Sequence, residues 1–327
     1  MVTNYVFTIL AAFLLSLFLN NFFRKLFLRN KILISQGMPL SGGMAMAFSF
    51  VIVSLLSFSL LRMIPREIIG IIIASAVMFI FELIDDWKAL SIIVKFTVQI
   101  IATAFLIFFG VKTQIVGMGN LLNLIITFIW VLAITNAFNH LDVLDGAAGG
   151  VGVIVCFSLF LISFFRADVA STTLLLALIG GILGFLIYNL PPAKIYMGNS
   201  GSHFLGFTLA AIALIISYAP LERKIALASP LLILGLPIFD TIFLILMRLK
   251  QGKSIFKKSD DHLALRFLKL MRSKDKALFS MLSLALLFTI CGVIVSSSYN
   301  QWGIVIIAFV ILVTLAVAIR MSKVVME

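Results

Sequence analysis

The stretch AAGGVGVIVCFSLFLISFFRADVASTTLLLALIGGILGFLIYNL, residues 147–190, decides the fold class. It contains two apolar runs, near 147–166 and 170–190, with a short polar segment between them. Each run has about the 20 residues that an α-helix needs to cross a bilayer. The stretch therefore predicts two membrane-spanning helices that are joined by a loop of only a few residues.

The whole composition agrees with a membrane protein. Of the 327 residues, 62% are hydrophobic and only 12% are charged, which is too few to cover a soluble globule. The net charge of +12 does not indicate nucleic acid, because the basic residues lie in loops between apolar runs, where they set topology and meet anionic lipids. Cys156 and Cys291 lie inside apolar runs and indicate neither a disulfide nor a metal site.

Counting outward from this stretch gives about eleven apolar runs of spanning length. They lie near residues 4–23, 44–64, 67–83, 93–111, 121–139, 147–166, 170–190, 203–219, 225–247, 276–297 and 302–320. One helical bundle accounts for the whole chain, so residues 1–327 are expected to form a single transmembrane domain. The predicted fold class is all-α, a polytopic membrane protein of about eleven transmembrane helices.

The distribution of Lys and Arg predicts the orientation. With the N-terminus outside, the loops on one side carry every basic residue except Arg62, Arg66, Lys112, Arg166, Arg223 and Lys224. The positive-inside rule assigns the basic side, including the loop at 248–276 and the C-terminus, to the cytoplasm. The outside loops are too short for a domain, so we expect any chemistry on the cytoplasmic face of the plasma (inner) membrane.

Two acidic segments end apolar runs on that side. FELIDDWKAL (81–90) places Asp85 and Asp86 next to the hydrocarbon, where carboxylates are costly, although an interfacial cap is an equal alternative. NAFNHLDVLDG (136–146) contains four polar residues at a spacing of three, which predicts one helical stripe of Mg²⁺ and phosphate ligands. The four are Asn136, Asn139, Asp142 and Asp145.

Two further polar segments follow. In NLPPAKIYMGNSGSHFLGF (189–207) residues 198–202 are predicted to form a flexible turn, whose N–H groups before a helix suit a phosphate. In the loop 248–276, Arg266, Lys269 and Arg272 share one predicted helical face, which indicates a helix lying in the membrane interface. His262 is the candidate for chemistry in this loop.

In their order and sidedness these segments resemble the polyprenyl-phosphate N-acetylhexosamine-1-phosphate transferases, over nearly the whole chain. The motifs that carry the resemblance are IDDW (84–87), NAFNHLDVLDG, PPAKIYMGNSGSHFLGF, GLPIFDT (235–241) and DDHLALRF (260–267). The resemblance implies transfer of a sugar 1-phosphate, GlcNAc-1-phosphate first among them, from a UDP-sugar to an undecaprenyl-type phosphate. It also implies release of UMP, dependence on Mg²⁺ or Mn²⁺, and a homodimer as a further expectation.

The resemblance also implies roles for individual residues. Asp142 is the expected metal ligand, and Asn199 stands where the family's GDxGS turn usually places a metal-binding aspartate. Asp85, Asp86, Asp145 and His262 are the catalytic candidates, of which the first two would orient the lipid phosphate. The candidate substrate ligands are Asn136, Asn139, Lys95, Ser200, Gly201 and Arg266.

This chain departs from the family pattern at two places. Asn199 removes one negative charge, so we expect weaker metal binding, because an amide oxygen is a weaker ligand than a carboxylate. The family commonly has two or three clustered histidines where this chain keeps only His262. We hypothesise that His140 or His203 replaces a missing histidine, against the alternative that each is an ordinary interfacial residue.

Three classes of function remain open from the sequence: an active transferase, a relative that binds lipid phosphate or nucleotide without turnover, and a transporter. A transporter is expected to place ionisable residues near the bilayer midplane, whereas the acidic residues here cluster at one boundary.

Overall fold

The computed structural model describes residues 1–218, 222–254 and 261–326, most of which are in helices. In chain order these are α1 (Val2–Asn30), α2 (Gly42–Leu61), α3 (Arg66–Trp87), α4 (Ile92–Phe108), α5 (Gly119–Leu141), α6 (Ala147–Phe165), α7 (Val169–Asn189), α8 (Gly198–Ile215), a 3-10 helix (Lys224–Ala228), α9 (Ser229–Ile233), α10 (Gly235–Lys250), α11 (Leu263–Met271), α12 (Lys274–Ser297) and α13 (Asn300–Ser322). A small antiparallel hairpin, β1 (Ile34–Ser35) and β2 (Met38–Pro39), lies between α1 and α2. The predicted all-α polytopic class is confirmed.

Eight of the described helices are long and apolar enough to span a membrane, and a bent helix pair gives up to nine. The remaining two apolar runs form α4, which has 17 residues, and α8, which begins with the polar residues GNSGSH. The eleven spans and the cytoplasmic orientation therefore stay predictions.

The ninth apolar run was predicted as one continuous helix, and this is wrong. The helices Lys224–Ile233 and Gly235–Lys250 meet at an angle of 70°. Pro237 lacks an N–H group and fits only the first turn of a helix, so a new helix begins at Gly235 instead of continuing through it. The break sets the direction of α10, which carries Asp240 towards the polar end described below.

Helix α7 lies at the centre of the bundle and packs closely on α1 through glycines. A methyl group at Gly180 would lie 2.5 Å from the carbonyl oxygen of Ile9, and one at Gly184 would lie 2.7 Å from Cβ of Ser16. Small residues at such crossings let helix backbones approach each other in a membrane protein, where packing drives association. This close packing agrees with the glycine pattern of the sequence.

The loops assigned to one side by their charge meet at one end of the bundle, which we call the polar end. Tyr196, before α8, exchanges backbone hydrogen bonds of 3.0 Å with Pro39 of the hairpin and Gly42 of α2. At the same end Lys274 of α12 contacts Asp145 after α5. Chemistry-bearing residues from distant parts of the chain are thereby brought close together.

The basic loop at 248–276 contains the end of α10 and the whole of α11, and residues 255–260, including Asp260, lie outside the described part. The sequence predicted a helix lying in the membrane interface, with Arg266, Lys269 and Arg272 on one basic face. This is wrong for Arg266, whose side chain is only 1% exposed. Arg266 is buried because Asp261 and backbone carbonyls satisfy its guanidinium.

Candidate active site

The C-terminal end of α3 meets the N-terminal end of α8 at the polar end. The carboxylate of Asp86 accepts hydrogen bonds of 2.9 Å from the backbone N–H groups of Asn199 and Ser200. These N–H groups have no partner within a helix, and the positive end of the helix dipole favours a carboxylate. Asp86 therefore anchors α8 to α3.

This contact corrects the prediction of a flexible turn at 198–202. These residues form the first turn of α8, and Asp86, not a phosphate, occupies two of its N–H groups. Ser200 is fully buried, in the first turn of α8 beside Asp86. Gly201 packs on Gly43 of α2, because a methyl group at Gly201 would lie 2.7 Å from Cα of Gly43. The substrate-binding roles of Ser200 and Gly201 stay predictions, and in this arrangement both are packing positions.

Asp85, the neighbour of Asp86, is held by three donors. Its carboxylate accepts from Nζ of Lys95 at 2.5 Å, from the backbone N–H of Leu90 at 2.7 Å and from Nδ2 of Asn199 at 2.8 Å. The Asp85 side chain is 3% exposed, whereas that of Lys95 is 27% exposed. Lys95 thus neutralises a buried carboxylate and still reaches solvent.

The amide of Asn199 bridges two predicted site residues. A carboxylate only accepts hydrogen bonds, so the Asn199 atom that faces Asp85 is the NH₂ group, and Oδ1 points to Nδ2 of Asn139, 3.1 Å away. Nδ2 of Asn139 also lies 3.0 Å from Oγ of Ser202. Both ends of the Asn199 amide are engaged by protein groups, and its role as a metal ligand stays a prediction.

The predicted helical stripe of four polar residues is only half helical. Helix α5 ends at Leu141, so Asn136 and Asn139 lie on the helix while Asp142 and Asp145 lie in the turn that follows it. Asn136 faces the neighbouring helix α4, where its Nδ2 donates to Oε1 of Gln99 at 2.8 Å. The turn forms because Gly146 adopts φ +77°, which places its N–H on Oδ1 of Asn189.

Asp142 lies in an environment of negative charge. Burial, and then the carboxylates of Asp86 and Asp145, raise the pKa of the Asp142 carboxyl from 3.8 to about 7. Asp145 itself forms an ion pair with Lys274 at 3.0 Å. Among the described ion pairs none involves Asp142, so no described cationic side chain compensates its charge.

The donor set fits Mg²⁺. Within the described residues no three His, Cys, Asp or Glu side chains form a group that could hold a metal ion by themselves. Mg²⁺ is commonly held by one or two carboxylates together with substrate phosphates and water, not by a cage of protein ligands. An uncompensated carboxylate at the polar end matches this kind of binding.

His262 lies beside a second histidine. Its Nδ1 is 3.3 Å from Oδ2 of Asp240, and Oδ1 of Asp240 accepts the N–H of Leu263 at 2.7 Å, which caps α11. The ring of His140 lies 5.9 Å from the ring of His262, with its Nδ1 3.3 Å from Oγ1 of Thr241. His140 therefore lies beside His262, and its role as a replacement for a missing histidine stays a hypothesis.

His203, the other candidate, is buried inside the bundle. Its Nδ1 lies 3.0 Å from the carbonyl oxygen of Asn199 and 3.4 Å from Oε2 of Glu82. Glu82 lies one helical turn before Asp85 on α3, and its side chain is also buried. His203 and Glu82 thus lie against the first turn of α8, and the ring that lies beside His262 is that of His140.

The candidate list from the sequence omitted Glu82, Gln99, Asp240 and Lys274. Glu82 and Asp240 could have been found, because an ionisable residue inside an apolar run indicates function or a specific partner. Lys274 carried no such signal, since it is one of many basic residues in the loop before α12.

A polytopic helical bundle that gathers carboxylates and amides from three segments at one end is a membrane protein with a functional site at that end. The model of the family described as glycosyl transferase family 4 matches residues 68–217 of this chain. This chain is 30% identical, over 277 residues, to decaprenyl-phosphate N-acetylglucosaminephosphotransferase of Mycolicibacterium smegmatis, covering 74% of this chain and 68% of that protein. The chain belongs to glycosyl transferase family 4.

Two further relatives extend the comparison. The probable undecaprenyl-phosphate N-acetylglucosaminyl 1-phosphate transferase of Bacillus subtilis is 28% identical, over 89% of this chain and 82% of that protein. A phospho-N-acetylmuramoyl-pentapeptide-transferase of Lactobacillus helveticus is 31% identical, and the match covers 53% of each chain. Both are named as transferases of a phosphorylated amino sugar.

Proposed function

We propose that this protein transfers GlcNAc-1-phosphate from a UDP-sugar to an undecaprenyl-type phosphate, which gives a polyprenyl-diphosphate-sugar and UMP. Family membership and the names of the relatives support the reaction class. The observation that carries the proposal is that Asp85, Asp86, Asn139 and Asn199 form one hydrogen-bonded cluster at a single end of the bundle, near enough to Asp142 for the charge of Asp86 to raise its pKa.

Mg²⁺ dependence is part of this proposal. Asp142 would hold the ion, because its carboxylate lies among other carboxylates and has no described cationic partner. When bound, Mg²⁺ would neutralise the diphosphate of the donor, which is the main requirement of phosphoryl transfer. We also place the site on the cytoplasmic face of the plasma membrane, on the basis of the positive charge of the loops at the polar end.

The protein's own residues position the reactants. Lys95 is the ammonium that pairs with Asp85 and remains partly exposed, so it is suited to bind an oxygen of the acceptor phosphate. Asp86 holds the first turn of α8 and so places Asn199 between Asp85 and Asn139. The acceptor phosphate is already ionised at neutral pH, so the reaction does not require a strong general base.

Release of UMP tests the proposal. The purified protein in detergent is given undecaprenyl phosphate, Mg²⁺ and one UDP-sugar at a time, beside Asp142→Asn and the control Asp275→Asn. Asp275 is an exposed acid in the first turn of α12, so its loss changes the net charge equally without touching the cluster. We expect metal-dependent release with UDP-GlcNAc, abolished only by Asp142→Asn. Equal activity of both variants would contradict the metal assignment.

A binder without turnover is the second candidate function. It is favoured by Asn199, whose amide is engaged at both ends and adds no negative charge for a metal. This candidate predicts that UMP binds, as measured by calorimetry, while no UDP-sugar of the panel yields UMP. Release of UMP above the level of Asp142→Asn excludes it.

A further inference from the structure

The buried guanidinium of Arg266 joins two segments that lie far apart in the sequence. Its Nη2 donates to Oδ1 of Asp261 at 2.5 Å, and its Nε donates to the carbonyl oxygen of the same residue at 3.3 Å. On the other side Nη1 donates to the carbonyl oxygens of Met321 at 2.9 Å and Val324 at 2.5 Å. Four of the five N–H groups of the guanidinium are thereby used.

Met321 and Val324 lie at the end of α13, whose last residue is Ser322. The last carbonyl groups of a helix have no partner within it, and the negative end of the helix dipole favours a cation. Arg266 therefore acts as the C-terminal cap of α13. The ring of Phe243 on α10 lies 5.4 Å from the guanidinium carbon and covers it.

The other partner of Arg266 leads directly to the candidate site. Asp261 precedes His262, and Oδ1 of Asp261 also accepts a hydrogen bond from Nε2 of Gln251 at 3.1 Å. His262 in turn faces Asp240 and begins α11. His262 thus directly follows Asp261, whose carboxylate is bonded to a guanidinium that also holds the end of α13.

We propose that the segment 321–326 at the end of α13 is a structural part of the active site, which positions His262 through Arg266 and Asp261. Arg266 is in this view a positioning residue and not a ligand of the substrate. Its side chain is 1% exposed and four of its N–H groups are engaged, so only one N–H group remains to bind the UDP-sugar. The proposal rests on the proposed transferase function for its kinetic part only.

The test compares a chain that is stopped after Ser322 with one that is stopped after Met326. The first loses the carbonyl of Val324, and the second keeps it. Arg266→Ala and Arg266→Lys complete the set, because Lys retains the charge but, as a point charge, cannot serve Asp261 and two carbonyls with a planar fork. If Arg266→Ala does not fold, the truncated chain still tests the same contact.

Two measurements are made on the full set of variants. The first is hydrogen exchange of the amides between Asp261 and Phe267, two of which are bonded to Asp240 and to the carbonyl of His262. The second is kcat and KM for the UDP-sugar. We expect faster exchange and a fall in kcat of roughly tenfold or more in the chain stopped after Ser322, since small misplacements of a reacting group are costly. We expect KM to change by less than about threefold, with Arg266→Lys intermediate.

Each outcome decides the matter. Unchanged exchange after truncation at Ser322 overturns the proposal, and so does faster exchange with full kcat. A large rise in KM in Arg266→Ala, with no effect of truncation, would instead make Arg266 a substrate ligand. If the wild-type protein shows no turnover, the transferase function fails separately, and the exchange data alone uphold or reject the link between α13 and His262.

Discussion

Asp86 and Arg266 solve opposite problems at opposite kinds of helix end. Asp86 accepts from the first N–H groups of α8, whereas Arg266 donates to the last carbonyls of α13. The two also differ in burial, since Asp86 is partly exposed and Arg266 is almost completely buried. The comparison shows that charged side chains beside the site anchor both kinds of helix end, and the deeper burial of Arg266 predicts the larger loss of stability when it is removed.

Asp86→Ala is expected to have the largest effect on turnover. The first turn of α8 loses two acceptors next to the reacting groups, so we expect turnover to fall by at least about 100-fold, because positioning at this precision governs rate. The matched control is Asp168→Ala, which removes a similar cap from the N–H of Ser171 in α7, at the other end of the bundle. Kinetics of UMP release and Tm are measured for both variants.

We expect similar losses of Tm in these two variants but full turnover in Asp168→Ala, since helix caps are each worth about 1 kcal/mol. If Asp86→Ala retains turnover within a few-fold of wild type, α8 does not need its anchor and the comparison fails.

Gly198→Ala is expected to have the next largest effect. Gly198 has φ +75°, and a methyl group there would lie 2.7 Å from Oδ2 of Asp86. We expect roughly a tenfold loss of turnover, because the methyl pushes the carboxylate away from the helix end, beyond the ~1 kcal/mol of backbone strain. Gly117→Ala is the control, since Gly117 has φ +87° with no atom within 4 Å of an added methyl. Equal turnover in both variants would show that the contact with Asp86 is unimportant.

Much of this arrangement could be predicted from the sequence. Hydrophobic runs predicted the helices, because spanning length is a strong local signal, and the sidedness of the polar motifs predicted which loops would meet. The motifs also identified Asp85, Asp86, Asn139 and Asn199, which the structure brings into one cluster.

The partners of these residues could not be predicted in the same way. That Asp86 would bind the N–H groups of α8, or that Arg266 would be buried under the end of α13, depends on contacts between residues more than 50 positions apart. The end of α5 before Asp142 was missed because a spacing of three continues through the turn without any change in the pattern. The bend before α10 was missed because the residues on both sides of it are apolar, so that Pro237 lies within one continuous hydrophobic run.

Asn199→Asp tests the contact between Asn199 and Asp85, with a smaller expected effect. The amide N–H that Asp85 receives would be replaced by a second carboxylate 2.8 Å away, so we expect a lower Tm without Mg²⁺ and recovery when Mg²⁺ is added. We expect the free energy of unfolding to fall by about 1–3 kcal/mol, the range for a buried polar group that loses its partner. The double variant Asp85→Asn/Asn199→Asp restores one amide and one carboxylate and is expected to be more stable than the single variant in Mg²⁺-free buffer. A Tm that does not respond to Mg²⁺ contradicts a cation near this pair.

The pH dependence of stability tests Asp142. Its pKa rises from 3.8 to about 7 on folding, so the folded state is penalised progressively as pH rises from about 4 to about 7 and constantly above that. Asn carries no charge, and Asp142→Asn is therefore expected to raise Tm in Mg²⁺-free buffer. This increase in Tm should be absent near pH 4 and largest above pH 7. Mg²⁺ should stabilise the wild type at pH 8 and leave the variant unchanged. A gain in Tm that is the same at pH 4 and pH 8 would argue against the raised pKa.

The smallest effect is expected for Lys274→Ala, which breaks the ion pair with Asp145. The Lys274 side chain is 56% exposed, against 27% for Lys95 in its pair with Asp85, so water and salt already screen its charge. Lys274 also begins α12, where a cation meets the positive end of the helix dipole, and this offsets part of what the pair contributes. We expect a loss of stability below about 1 kcal/mol and turnover close to that of wild type, at both low and high salt.

Lys95→Ala is the matched comparison. Because it leaves a buried carboxylate with one cation fewer, it should lower stability and turnover far more in the same assays. A loss of turnover in Lys274→Ala as large as in Lys95→Ala would mean that exposure does not separate the two pairs, and that Lys274 contacts the substrate.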